Sequence, residues 1–129
     1  CRSMLPFERD LVQKMKGRPF VWLGINSDRD AKTAQTLARD GEVSWRSWHD
    51  PGEFYGGSIA QRWNVRALPD FFILDEQGVI RHHVGPHADD HERPWFLDSD
   101  DNLRHRWEDR TQEITEVVEA LVKEIEQKH

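Results

Sequence analysis

The stretch from Asn64 to Gly85, NVRALPDFFILDEQGVIRHHVG, limits the fold more than any other part of the chain. Phe71-Phe72-Ile73-Leu74 is a short apolar run, the pattern of a strand buried on both faces. Asp75-Glu76-Gln77-Gly78 is a turn, with glycine where a positive φ is needed. Val79 to Val84 then reads as the return strand of an antiparallel hairpin. Pro69 stands just ahead of the first strand. Lacking an N–H, proline belongs at a strand's entry or edge, and here Leu68–Pro69 is a candidate cis peptide.

The flanking elements follow from periodicity. Residues 2–16 read as a helix, with Met4, Phe7, Leu11 and Met15 on one face, Pro6 bending or breaking its start and Gly17 at its end. Phe20 to Ile25 reads as a second doubly buried strand. Asn26-Ser27-Asp28 closes it, with Ser27 and Asp30 at capping-box spacing. The next helix turns Ala31, Ala34, Leu37 and Ala38 inward and ends at Gly41. Val43 to Trp48 alternates as a short edge strand, and His49-Asp50-Pro51-Gly52 is a turn. Ser58 is placed to cap a short helix holding Ile59, Ala60 and Trp63. Residues 86–104 read as a polar surface loop pinned by Trp95-Phe96-Leu97. A helix follows over 105–128, its start falling between Asp101 and Thr111, with Ile114, Val117, Val118, Leu121, Val122 and Ile125 as its stripe.

The order is helix, strand, helix, short strand, helix, strand, strand, helix, which means a layered α/β fold in one domain spanning 1–129. Charge narrows the functions. At a net −6, with no basic stripe, a nucleic-acid grip is not expected. No apolar run reaches the ~20 residues that a membrane-spanning helix needs. Cys1 is the only cysteine, so neither an internal disulfide nor an all-thiolate metal site can form within the chain. It falls at a helix N-terminus, where N–H groups and the dipole favour a thiolate.

Other constellations have plainer roles. His82, His83, His87 and His91 crowd together, but His82 and His83 must point to opposite faces of a strand, and the spacing suits no zinc site; no metal is expected. Asp98, Asp100, Asn102 and Asp109 fit four positions of a calcium loop, but Leu103 stands where its turn requires glycine. Trp45, Trp48, Trp63, Tyr55 and Phe54 suit either a groove or, more simply, core and edge packing.

Taken in order, these residues resemble the thioredoxin superfamily, in particular its TlpA/ResA-like thiol–disulfide oxidoreductases. The resemblance rests on Cys1-Arg2 with Pro6 after it, the strand ending in Asn26-Ser27-Asp28, Trp63-Asn64-Val65 leading to Leu68-Pro69, and the hairpin Asp70 to Gly85. It covers residues 1–85 and the last helix; Pro86 to about His105 looks like an insertion. It implies a thioredoxin-like α/β/α sandwich with a mixed sheet. Cys1 becomes the second, resolving cysteine of a Cys-x-x-Cys motif. The attacking cysteine and the central strand before it would lie upstream, since the chain opens at Cys1 and is read as the interior of a longer protein. Phe20–Ile25 and Phe71–Leu74 would then flank the missing strand without pairing with each other, unless a second copy filled the place in a dimer.

The implied activity is reduction or exchange of disulfides in other proteins, with electrons from an upstream thiol donor. The attacking thiolate forms a mixed disulfide that the second thiol resolves. Catalysis falls to Cys1 and Pro69, and substrate is held by the backbone of Ala67 and Leu68 through strand addition. The resemblance implies no bound organic cofactor and suggests an extracytoplasmic or periplasmic site. Two rivals remain open: a redox-inactive thioredoxin-like binding module, and a peroxiredoxin-like peroxidase.

Overall fold

The computed structural model describes residues 4–26, 31–40, 43–52, 57–65, 68–85 and 100–128, with the side chains of residues 31, 34, 37 and 100–106 outside that description. The chain divides into two compact units, Cys1–Arg66 and Ala67–His129. Cys1, Ala67, the Ser27/Asp30 cap, Gly41, Phe54, Tyr55, His87, His91, Trp95-Phe96-Leu97 and Asp98 lie outside the described residues.

The first unit opens with helix α1, Leu5–Lys14. Pro6 sits in its first turn, where the N–H it lacks would have had no helical partner. The predicted helix over 2–16 is therefore shorter at its start among the described residues, and it closes on Met15. Gly17 takes the left-handed φ of 81° that turns the chain away. Met4, Leu11 and Met15 are buried together with Ala60, so the stripe read from the sequence is the core of this unit.

Strands β1, Leu23–Asn26, and β2, Arg46–His49, pair in parallel, Leu23 opposite Arg46 and Asn26 opposite His49. Parallel neighbours need a crossover, and helix α2, Ala31–Arg39, supplies it. Alternation gives the sheet two unlike faces. On one, Trp22 meets Phe20 and Trp45 with ring centroids 6.4 and 5.8 Å apart. A Cβ on Gly24 would come within 2.9 Å of the Trp45 indole nitrogen and 2.7 Å of the Ser47 hydroxyl, so a bare backbone is needed there. On the other face Val21, Leu23 and Ile25 are exposed, Val21 to 74%. The expectation of burial on both faces of this strand is corrected: an apolar run marks a strand but does not say whether a second layer covers it. Ala38 is likewise exposed rather than inward; a single methyl is too small to fix which way a short helix faces.

Helix α3, Ser58–Arg62, begins after Gly57 as its N-cap residue. Ser58 is not the cap. The capping acceptor is Asp50, whose Oδ2 takes the N–H of Ile59 at 3.1 Å and of Ala60 at 3.0 Å. Asp50 also donates its own N–H to the Asn26 carbonyl at 2.8 Å, so one buried residue ties β1, the end of β2 and α3. Gly57 leaves room for it, since a Cβ there would lie 2.7 Å from the Asp50 carbonyl. Trp63 follows as the C-cap and stays exposed rather than packing inward. Asn64 then adopts φ 55°, a left-handed turn that asparagine tolerates.

The second unit holds β3, Phe71–Leu74, β4, Ile80–Val84, and helix α4, Asp100–Lys128. β3 and β4 form a two-stranded antiparallel sheet separate from that of β1 and β2. α4 begins at Asp100, before the predicted 105, so residues 100–104 are helical and not loop. Asp100 and Asp101 are acidic where a first turn favours negative charge, a signal that polar loop composition masks. Ile114, Val118 and Val122, four residues apart, are buried with Val84. Asp100, Asn102 and Asp109 lie within this helix, which is not the open turn a calcium loop requires.

Candidate functional site

The most constrained polar geometry of the second unit lies at the entry to the hairpin. The Leu68–Pro69 peptide bond is cis, and both residues are half-buried. The ladder pairs Phe71 with Val84, Phe72 with His83 and Ile73 with His82. Leu74 then pairs with Ile80, leaving Arg81 as the extra residue of a bulge. Asp75 shapes the turn. Its Oδ1 accepts the N–H groups of Gln77 at 2.9 Å and Val79 at 3.0 Å, and Arg81 lies 3.4 Å from Oδ2. The backbone bond from Val79, with lesser help from Gln77 and Arg81, holds this carboxyl below the usual aspartate range against a smaller opposing effect of burial. Gly78 takes φ 81°, as the turn chemistry anticipates. Leu74 is exposed and the rest of β3 is half-buried, so burial on both faces is corrected here too; the Leu74 end runs out into the turn.

The register sorts the side chains. On one face His82 Nε2 meets Glu113 Oε1 of α4 at 2.7 Å. On the other, Asp70, Phe72, His83 and Gly85 stand together. His83 Nε2 is bonded to Asp70 Oδ1, and its ring stacks on Phe72 at 4.1 Å and 8°. The Asp70 side chain is only 8% exposed. Gly85 makes this possible, because a Cβ there would collide with the Asp70 carboxylate. Arg110 of α4 donates to the Gly85 carbonyl at 3.0 Å.

Among the residues read from the sequence as site residues, the structure thus describes Leu68 and Pro69; Cys1 and Ala67 fall outside the described part. The histidine pair does diverge to opposite faces. Among the described residues no group of three or more His, Cys, Asp or Glu side chains is placed to hold a metal. Trp45 packs on Trp22, whereas Trp48 is exposed with the Arg46 guanidinium 5.9 Å from its ring. The Asp70–His83 pair was missed by sequence reasoning. Its signal was available: continuing the hairpin register one step sets Asp70 opposite Gly85, diagonal to His83.

Parallel and antiparallel strands mixed with helices put the chain in the α/β class. Comparison with family models, with curated proteins and with solved structures gives no match for this chain. No described helix is long and apolar enough to cross a membrane.

Proposed function

We propose that the chain is a thioredoxin-like thiol–disulfide oxidoreductase domain of the TlpA/ResA type, built as an α/β/α sandwich around a mixed sheet. The observation that carries this reading is the element order. A helix behind the single cysteine leads to a parallel β1–α2–β2 unit, then a short helix, then an antiparallel hairpin entered through Leu68-Pro69, then a closing helix. The motif residues occur in that order along the same chain. In this reading Cys1 is the resolving thiol, and a cysteine upstream makes the attack. A substrate segment lies extended along the backbone of Ala67, Leu68 and Pro69, adding a strand. Electrons come from a second thiol protein, and the site of action is extracytoplasmic.

The test is reduction of insulin by dithiothreitol. The chain as given is compared with a version extended upstream through a complete Cys-x-x-Cys motif. The extended version accelerates the reaction and the chain alone does not. Equal turnover by both overturns the reading, and no turnover by either favours a binding module on the same fold.

A further inference from the structure

The geometry points to His83 as the proton donor to the sulfur that leaves a substrate disulfide, with Asp70 as the residue that positions it. This rests on the oxidoreductase reading above and deepens it. Two histidines of β4 make carboxylate contacts, and the difference between them is informative. His82 meets Glu113, whose side chain is 47% exposed; an exposed pair of this kind is a surface clip of small worth. His83 meets a carboxylate that is almost wholly enclosed, on the residue directly after Pro69. The enclosure depends on a glycine opposite.

Asp70 and Phe72 together fix the imidazole. The bond to Asp70 claims Nε2, which sets the tautomer and leaves Nδ1 to exchange a proton with a ligand. The flat stack on Phe72 sets the plane of the ring. The side chain is still 38% exposed, so the ring is held yet reachable. The neighbouring charges are engaged elsewhere: Glu113 with His82, Arg110 with the Gly85 carbonyl, and Arg81 with Asp75. A carboxylate that orients an imidazole whose other nitrogen is accessible is the arrangement used for acid–base transfer.

Atoms and electrons balance in this step. A thiolate of the protein dithiol bonds to one sulfur of the substrate disulfide as the old S–S bond breaks. The bonding pair leaves on the second sulfur, which takes the Nδ1 proton of the His83 imidazolium. His83 is neutral afterwards and recovers its proton from solvent. The substrate is reduced, and the dithiol becomes a disulfide in a second exchange. The substrate class follows: disulfides whose leaving thiol is a weakly acidic alkyl thiol, as in cystine-containing peptides, need this proton, whereas disulfides with acidic aromatic thiols do not.

The experiment uses the upstream-extended protein with two probes, a cystine-bridged peptide and 5,5′-dithiobis(2-nitrobenzoate). His83→Gln slows reduction of the peptide about 100-fold and leaves the aromatic probe within about twofold, the selectivity expected of a lost general acid. Asp70→Asn shows the same selectivity with a smaller loss. An equal loss on both probes, or no loss on either, overturns the assignment while leaving the oxidoreductase reading intact. If the unsubstituted protein reduces neither probe, that reading has failed and this one falls with it. Nitrogen chemical shifts of His83 in the chain as given supply a readout without turnover. A hydrogen on Nε2 in the neutral ring is expected, and a hydrogen on Nδ1 instead overturns the proposal.

Discussion

The two compact units differ in what closes their sheets. In the second, α4 supplies Ile114, Val118 and Val122 at helical spacing, and Val84 of β4 is buried with them. Every piece comes from a hairpin and a helix, and the cohesion is apolar and shared among several side chains. In the first unit one face of the β1–β2 sheet is exposed at Val21, Leu23 and Ile25. Its tie is polar and concentrated: Asp50 reaches Asn26 with its N–H and the start of α3 with its carboxylate. An apolar stripe fails gradually, while a single polar hub has no substitute.

The largest expected effect lies in the helix stripe. Ile114→Ala removes a side chain that is only 1% exposed, and large-to-small changes at such sites cost about 2–5 kcal/mol. Urea unfolding checks this through the midpoint at constant slope. A loss well under about 1 kcal/mol, below the range for buried large-to-small changes, would mean that the second unit does not depend on this stripe. The contrast between the units would then fail.

Asp50→Ala comes next. It leaves the N–H groups of Ile59 and Ala60 without their acceptor in a buried setting, at a cost of about 1–3 kcal/mol. Asp50→Asn keeps an acceptor oxygen and recovers part of the loss. If Asp50→Ala is silent in the same unfolding experiment, the polar hub is decorative, and the first unit is held by Met4, Leu11 and Met15 alone.

These two cases also show what the sequence revealed. The stripe of α4 and the turn at Asp75–Gly78 were legible because helix period and turn chemistry act over a few residues. The bonds from Asp50 to residues nine and ten positions on were not legible. His49-Asp50-Pro51-Gly52 announces a turn, and nothing local says that its aspartate caps a later helix. The Asp70–His83 pair lies between these extremes, since it needs only the hairpin register. Leu68 and Pro69 stood out through proline's fixed chemistry. The exposed face of β1 was misread because Phe20 to Ile25 is apolar at nearly every position, which hides the difference between a sheet with one cover and a sheet with two.

A smaller effect concerns Glu8 on α1. Burial raises its carboxyl from 4.5 to about 7, against a weaker opposing pull from the chain's amino terminus. The unfolded chain ionises Glu8 more readily than the folded one, so the folded state binds the extra proton between these values. Its contribution is therefore fully present below pH 4.5 and lost as pH rises through about 7. Glu8→Gln removes this dependence. The check is the unfolding midpoint of both proteins from acid to neutral pH; parallel curves would show that Glu8 is solvated and that the first unit holds no carboxyl in an apolar setting.

The smallest expected effect tests the contrast most directly. Leu23 is 54% exposed on the open face of β1, and surface substitutions away from special features stay within about 0.5 kcal/mol. Leu23→Ala is expected to fall inside that range by urea unfolding, although the same change in a covered strand would cost several times more. The reason is physical rather than positional. Truncation costs stability by undoing apolar burial and by opening a void against the neighbouring side chains. A side chain that already keeps half its surface in water has little burial to undo and leaves little void. A loss above about 1.5 kcal/mol would carry Leu23 into the range of buried large-to-small changes. The face holding Val21, Leu23 and Ile25 would then be covered in solution, and the two units would differ in the order of their strands but no longer in how their sheets are closed.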